Sequence, residues 1–343
     1  MGIPSRVLAV VLNWNGHEMT ARCVEHLRCQ DQSGLDILIV DNGSTDGSLE
    51  ALTSGVTAPG LLLGLPENVG FTGGMNAGIE AAEAGSYDYV WLVNNDAFPE
   101  PNCLSALVRF MDAEPRVAVT TPRIVGMDGV DQNFGGRIAW DEPRNDMLFP
   151  GDAIGDDIWL TGTALLIRVA CLAKVGRLDP RFFAYWEDVD FCHRCRKAGW
   201  SVQPVLSTKC VHEGGASTGG AGSAFTVYMN LRNQWLFMKK TLWFWQRPRL
   251  FLRLIASGLE LAGILSSRGR DKEAQALVGA VAAIFKGEVG RPRRLSVAPG
   301  VGRLLTKYGW GIGSRLGRAT RWFPGQKSKA SPIKGQGLPV GNP

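Results

Sequence analysis

Several short stretches of this chain gather side chains capable of chemistry, and most of them end an apolar run. Val90–Val93 stops on Asn94, Asn95 and Asp96. A carboxylate at a strand end, with an amide two positions earlier, can hold Mg2+ or Mn2+ through few protein contacts, leaving water and phosphate oxygens as the other ligands. The same Asn-Asn-Asp also serves as turn or capping chemistry ahead of Pro99. Leu35–Val40 stops on Asp41-Asn42-Gly43-Ser44-Thr45-Asp46-Gly47. Asp41 can accept hydrogen bonds from a base or a ribose, while Ser44, Thr45 and Asp46 equally suit a turn and a helix cap. Asn68-Val69-Gly70-Phe71-Thr72-Gly73-Gly74-Met75-Asn76-Ala77-Gly78 offers close backbone approach before a helix. It matches neither the Walker loop nor the dinucleotide fingerprint.

Two further stretches bring acids and an imidazole. In Arg181-Phe182-Phe183-Ala184-Tyr185-Trp186-Glu187-Asp188-Val189-Asp190, three carboxylates fall within four residues behind an aromatic approach. Asp188 there suits a general base acting on a hydroxyl when the leaving group departs easily. Acids also favour the first turn of any helix. His212, beside Gly214 and Gly215, is placed to complete a metal site or touch a phosphate. Cys192-His193-Arg194-Cys195 with Cys210 and His212 offers zinc-type ligands, but a CxxC inside a helix lacks the usual turn, and buried Cys is common.

The elements that must position these groups read as short strands alternating with helices. Val7–Leu12, Leu35–Val40, Leu61–Leu63, Tyr87–Val93 and Val117–Thr121 are strand-like. Met19–Cys29, Ile79–Ala84 and Cys103–Met111 are helical. This is the rhythm of a mostly parallel sheet with helices on both faces, in which ligands sit beyond the carboxyl ends of the strands. Asn13, Asp41 and Asn94–Asp96 occupy such ends. Residues 122–157 read as loop with a hairpin near Phe134–Trp140. Asp157–Ile167 reads as one extended segment, Arg168–Val175 and Trp186–Ala198 as helices, and Val202–Leu206 and Thr208–Val211 as extended. Gly214–Gly222 reads as a loop that is mobile or ordered by a ligand. Arg249–Leu265 and Asp271–Phe285 are helical by period.

The chain has 343 residues, 45% of them hydrophobic, with 43 Gly and a net charge of +5. The charge is split: residues 1–213 carry 16 Lys+Arg against 28 Asp+Glu (−12), and residues 214–343 carry 21 against 4 (+17). The basic part suits an anionic membrane surface, phosphorylated lipid or nucleic acid, or docking on the acidic part. Interleaved Trp235, Trp243 and Trp245 with Lys and Arg favour a phospholipid interface. No nucleic-acid module is recognisable, so nucleic acid is not the expected partner. Seven Cys without a framework and no visible secretory signal lead to a cytoplasmic expectation. No run of 18 uncharged apolar residues is present, so no spanning helix is expected.

Together VVLNWNG, VDNGSTDGS, PENVGFTGGMNAGI, WLVNNDAFP, TGTALLIR and GRLDPRFFAYWEDVDFCHRCRKAG resemble family 2 glycosyltransferases, and among these the rhamnosyltransferase-like group that builds bacterial polysaccharides. The resemblance covers about residues 5–235. It implies the α/β GT-A nucleotide-diphospho-sugar transferase fold and an inverting reaction. Residues 1–224 would be the catalytic domain, 225–290 a basic, aromatic helical extension, and 291–343 a basic Gly/Pro-rich tail, partly disordered. By the same resemblance Asp41 contacts the donor's base, and Asn68, Gly73 and Asn76 line the donor pocket, with Asn13 and Asn95 on the same side. Asn94 and Asp96 match the ends of the DxD motif, Asp96 contacting Mg2+ or Mn2+ and His212 lying near the metal and diphosphate. Asn94 stands where the motif has its first Asp, which lowers the expected metal affinity. Asp188 matches the catalytic base, with Glu187 beside it, and Trp186 and Thr163 shape the acceptor side. The implied donor is a dTDP- or UDP-sugar, L-rhamnose being the first choice and GDP-sugars the alternative. The implied acceptor is a cell-envelope or polyprenyl-diphosphate-linked glycan at the cytoplasmic membrane face. A homodimer and a non-catalytic nucleotide- or nucleic-acid-binding protein remain as alternatives.

Overall fold

The computed structural model describes residues 5–55, 62–140, 142, 144–214 and 222–296. β1 (Val7–Asn13), α1 (His17–Arg28), β2 (Leu35–Asp41), α2 (Ser48–Gly55), β3 (Leu62–Gly64), α3 (Gly70–Ala84) and β4 (Tyr89–Asn94) alternate as expected. Then come β5 (Ala97–Pro99), α4 (Cys103–Ala113), β6 (Val117–Thr120), β7 (Pro122–Val125), a hairpin of β8 (Gly135–Ala139) and β9 (Arg144–Leu148), β10 (Ile158–Leu160) and β11 (Ala164–Arg168). A short α5 (Leu172–Val175) leads to α6 (Glu187–Lys197), β12 (Ser201–Val202) and β13 (Val205–His212), and three helices follow: α7 (Ala224–Thr241), α8 (Arg247–Ser267) and α9 (Asp271–Lys286).

The central sheet has the order β12-β6-β11-β4-β1-β2-β3. β1 lies parallel between β2 and β4, in register from Val7 opposite Leu35 and Tyr89, so Asn13, Asp41 and Asn94 end together on one edge. β11 runs antiparallel between β4 and β6. Val7, Val10, Val90, Trp91 and Val93 are fully buried, as expected for strands covered on both faces. Smaller sheets β10-β8-β9 and β5-β13-β7 flank it.

Two expectations are corrected, and one helix bears on the membrane. Asp157–Ile167 is two strands in different sheets, divided at Thr161-Gly162-Thr163. Thr161 N–H donates to Phe134 O on one side, and Thr163 O accepts from Asn94 N–H on the other. Helix α3 begins at Gly70, so the glycine-rich stretch forms its first turns. Gly70 has φ +81, and a Cβ on Gly78 would come within 2.3 Å of Val10 Cγ1, so the glycines let a helix lie close on β1. Finally, α8 is long and apolar enough to cross a membrane by length and composition, with a mean hydropathy of 1.5 despite Arg253 and Glu260. However, 44% of that window is buried inside the protein. Residues 215–221 and 297–343, on which the expected mobile loop and most of the disordered tail fall, lie outside the described residues.

Gly78→Ala tests the close approach of helix and strand. The β-branched Val10 sits on a central strand and has little room to yield, so overpacking of about 1–3 kcal/mol should exceed the gain of about 1 kcal/mol in helix propensity. A lowered urea midpoint is expected; an unchanged one would show that α3 stands further off β1.

Candidate functional site

The loop edge of the central sheet is held together by side-chain amides. Asn13 is fully buried; its Nδ2 donates to Asp41 Oδ1 at 2.7 Å, and its Oδ1 accepts from Thr20 Oγ1 at 2.8 Å. Asp41, also buried, further accepts from Ser44 Oγ (2.6 Å) and Ser44 N (3.0 Å). Asn68 Oδ1 accepts from Gly70 N (2.8 Å) and Asn42 Nδ2 (3.2 Å), and Asn42 Oδ1 accepts from Val69 N (3.0 Å). Asn42, not singled out by sequence, thus joins the loop after β2 to the start of α3. Asn76 grips Leu178 with both ends of its amide, at 2.8 and 3.0 Å. A Cβ on Gly73 would meet Val69 within its own turn. Of these residues Asn13 and Asn76 act as internal braces.

Asn95 Nδ2 reaches Thr20 Oγ1 at 3.3 Å, tying the turn after β4 to α1. Asp96 keeps 8% side-chain exposure and His212 18%, with Nε2 of the histidine 3.4 Å from Asp96 Oδ1. β13 pairs with β5 so that His212 stands opposite Ala97. Gln132 orients the imidazole. Its Nε2 donates to His212 O (3.2 Å), which turns its Oε1 toward His212 Nδ1 at 2.9 Å. Nδ1 therefore carries the proton, and Nε2 presents a lone pair to a carboxylate. With Nε2 facing the Asp96 carboxylate at 3.4 Å, the two can share a bound cation. Asn94 Oδ1, two residues from Asp96, is buried without a hydrogen-bond partner. An orphaned carbonyl oxygen, a carboxylate and an imidazole are a donor set that fits Mg2+ or Mn2+ completed by water and phosphate oxygens. Among the described residues no cluster of three His, Cys, Asp or Glu forms a metal site by itself. Cys192, in the core, accepts from Leu160 N.

Asp188 opens α6 half-buried. Its Oδ2 accepts from Gly162 N at 3.1 Å and its Oδ1 from Val189 N at 2.8 Å. Burial pushes its carboxyl up to about 6, while these two N–H groups hold it down. Gly162 is adjacent to Thr163, whose O accepts from Asn94 N. One three-residue link, Thr161-Gly162-Thr163, therefore joins the Asp188 carboxylate to the end of β4 at Asn94, two residues before Asp96. Thr163 is buried, its Oγ1 3.1 Å from Thr161 Oγ1. Glu187 is buried, with Oε2 unpartnered. Burial first, and then the charge of Asp188, raise its pKa well above the usual carboxylate range. Of the two neighbouring acids, Asp188 is the more accessible. Trp186 turns toward α7, its Nε1 donating to Asn230 Oδ1 at 3.2 Å and its ring 5.6 Å from Phe237. A cavity of about 340 Å3 at the first turn of α1, lined in part by Gly16, His17 and Arg22, shares no residue with this group.

The backbone leading into Asp188 is strained. Phe183, Tyr185 and Trp186 have φ of 64, 67 and 76, a region costing roughly 1–3 kcal/mol each for such side chains. Helix α7 holds it there. Fully buried Asn233 places Nδ2 2.8 Å from the carbonyl oxygens of Phe182, Ala184 and Tyr185, and Arg232 fixes Asn233 Oδ1 at 2.9 Å. Lys240 at the end of α7 forms ion pairs with Asp179 (2.6 Å) and Asp190 (2.5 Å). Burial works against the charge of Asp179, but hydrogen bonds from Arg181 and Lys240 hold it well below the usual range.

Residues 9–170 match the family model for glycosyl transferase family 2. Over 228 residues the chain is 30% identical to the N-acetylglucosaminyl-diphospho-decaprenol L-rhamnosyltransferase of Mycobacterium tuberculosis, covering 58% of this chain and 73% of that protein. The chain belongs to glycosyltransferase family 2. This glycosyltransferase is also 24% identical to the galactofuranosyltransferase GlfT1 of Mycolicibacterium smegmatis over 214 residues, 60% of this chain and 70% of that one. In structure it is similar to GalNAc-T7 with UDP, GalNAc and Mn2+ (TM-score 0.56, 15% identity, 74% of this chain and 51% of that one). It is also similar to S. aureus TarS (TM-score 0.52, 16% identity, 96% of this chain and 57% of that one). The chain spans little more than half the length of those two structures. Its fold is the GT-A nucleotide-sugar transferase fold, with a helical extension at the C-terminal end, and the enzyme moves a sugar from a nucleotide-sugar donor to an acceptor.

Asn233→Ala removes the donor of the Ala184 and Tyr185 carbonyls in a strained segment, while Phe182 O keeps Ala184 N–H and Arg232 Nη2. A loss of about 1–3 kcal/mol per unsatisfied buried group is expected, read as a lower urea midpoint together with reduced turnover. Unchanged stability and turnover would show that the segment holds its shape unaided.

Proposed function

We propose that the enzyme transfers L-rhamnose from dTDP-rhamnose, with inversion, to a hydroxyl of a lipid-linked cell-envelope glycan, Asp188 acting as base. The placement of the Asp188 carboxylate on Gly162 N, one residue from the Thr163 carbonyl that holds Asn94, carries the reading: base and phosphate-side residues border one link. The rhamnosyl and lipid-diphosphate parts rest on the Mycobacterium tuberculosis relative. A UDP- or GDP-sugar donor is the second reading, and a relative that transfers galactofuranose supports a sugar other than rhamnose.

In this mechanism Asp188 takes the proton of the acceptor hydroxyl as that oxygen bonds to the anomeric carbon. The bond from that carbon to the diphosphate oxygen breaks on the opposite face, and the nucleoside diphosphate leaves with the electron pair. A second acid is unnecessary, because the leaving group is a stabilised phosphate, unlike the alcohol released in glycoside hydrolysis. Asp96, His212 and the Asn94 carbonyl oxygen would hold Mg2+ or Mn2+; the bound ion supplies charge neutralisation for the diphosphate. Gln132 keeps Nε2 of His212 free for that purpose. Asp41, held by Asn13 and Ser44, and Asn68 shape the nucleotide side. The acceptor approaches along Thr163. A peripheral seat at the cytoplasmic membrane face follows from a lipid-linked acceptor.

Transfer from a panel of dTDP-, UDP- and GDP-sugars, with and without Mn2+, tests the donor; turnover with none of them would reject the reading. Asp188→Asn should abolish transfer and leave donor binding intact, whereas wild-type turnover would reject the base. The base works as the carboxylate, so kcat/KM of the wild type should fall as pH drops through about 6 and level off above. A flat profile across that range would mean another group takes the proton. Gln132→Leu frees the His212 tautomer and should raise the Mn2+ concentration for half-activation by about 10–100-fold; no change would remove His212 from the metal side.

A further inference from the structure

Where the chain passes from α7 to α8, Trp243, Phe244 and Trp245 stand 66%, 72% and 61% exposed. Trp243 and Trp245 stack with ring centres 5.1 Å apart, and Phe244 meets Trp245 edge-on at 5.0 Å. Side chains of this size are rarely left together in water without a partner. The aromatic surface extends further. Trp235 packs on Phe251 (4.8 Å) and Phe251 on Phe285 (5.3 Å), which brings the end of α9 beside the start of α8. Phe285 is itself 67% exposed. One end of the helical extension therefore displays four large aromatic rings.

Across the junction of α7 and α8 the charge is of one sign. No Asp or Glu occurs from Lys239 to Arg253. Lys239 and Lys286 are exposed. Lys286 follows Phe285 at the end of α9 and lies 4.0 Å from Glu288. Indole rings with cations around them match the headgroup boundary of an anionic bilayer, where the ring is apolar, its N–H is wet and phosphates lie alongside. We propose that this end, led by Trp243, Phe244 and Trp245, is the surface by which the enzyme seats on an anionic lipid bilayer. The proposal rests on the lipid-linked reading of the acceptor for its purpose and adds the surface that meets the lipid.

The test is co-sedimentation of the full chain with vesicles of phosphatidylcholine and phosphatidylglycerol in equal parts, against phosphatidylcholine alone. The wild type should partition to the anionic vesicles. Replacing Trp243, Phe244 and Trp245 together by Ser should weaken that partition at least about tenfold, and Lys239→Gln with Lys286→Gln should reduce the preference for the anionic lipid. Both variants should keep wild-type donor hydrolysis in solution, which shows that they fold. Wild-type partition by the Ser variant would overturn the proposal. So would a wild-type dimer that binds no vesicles and that the Ser variant converts to monomer, because a second copy would then cover the rings. Vesicle binding without sugar transfer to a lipid-linked acceptor in detergent would leave the seat standing and reject the acceptor. Transfer in detergent without vesicle binding would do the reverse.

Discussion

Two hydrogen bonds made by the backbone of Gly162 and Thr163 set the geometry on which the rest depends. Gly162 N–H meets the Asp188 carboxylate, and the carbonyl of the following residue, Thr163 O, meets Asn94 N–H. Asp96 and Asp188 are 92 positions apart in the chain, and this link brings their elements to one place. It exists because the extended stretch between Ile158 and Arg168 is broken: β10 joins the outer sheet and β11 the central one, leaving Thr161-Gly162-Thr163 free to bond in both directions. The N–H donors also set the electrostatics. Burial alone would push the Asp188 carboxyl higher, and the donors from Gly162 and Val189 keep it in reach of a working base.

The helical extension is part of this arrangement. The approach to Asp188 contains three residues with positive φ, and a conformation of that cost persists only where its surroundings over-determine it. Asn233, Arg232 and Lys240, all on α7, supply the constraint, with Thr72 of α3 donating to Phe183 O from the other side. Catalytic sheet and C-terminal helices are thus joined at the candidate base. The end of the extension farthest along α7 displays the exposed rings, so a single helix runs from the base to the surface proposed to meet lipid.

Much of this was legible in the sequence, and the reasons for the rest are physical. Asp41, Asp96 and Asp188 stand out because a carboxylate that stops an apolar run, or opens a helix behind aromatic residues, is conspicuous in a linear reading. The alternating strands were legible because their burial is nearly complete. Asn233, Gln132 and Asn42 were not, since each is a single amide whose partners are backbone groups or a distant side chain, and neither leaves a sequence pattern. The glycines of α3 read as a loop because composition does not distinguish a flexible turn from a helix pressed against a strand; the nearness of Val10 decides it. Asn13 and Asn76 were visible as polar residues at the right edge, yet both ends of their amides are engaged inside the protein. For Trp186 the aromatic approach was legible and its direction, toward Phe237, was not.

The central claim is that the acids at 96 and 188 face one diphosphate-sized space. The most direct measurement is the anomalous scattering of Mn2+ in crystals of the full chain grown with a nucleoside diphosphate. The account predicts one strong peak between the Asp96 carboxylate and Nε2 of His212, with the diphosphate extending from it toward Asp188. A peak at any other set of carboxylates, or a diphosphate lying away from Asp188, would contradict it.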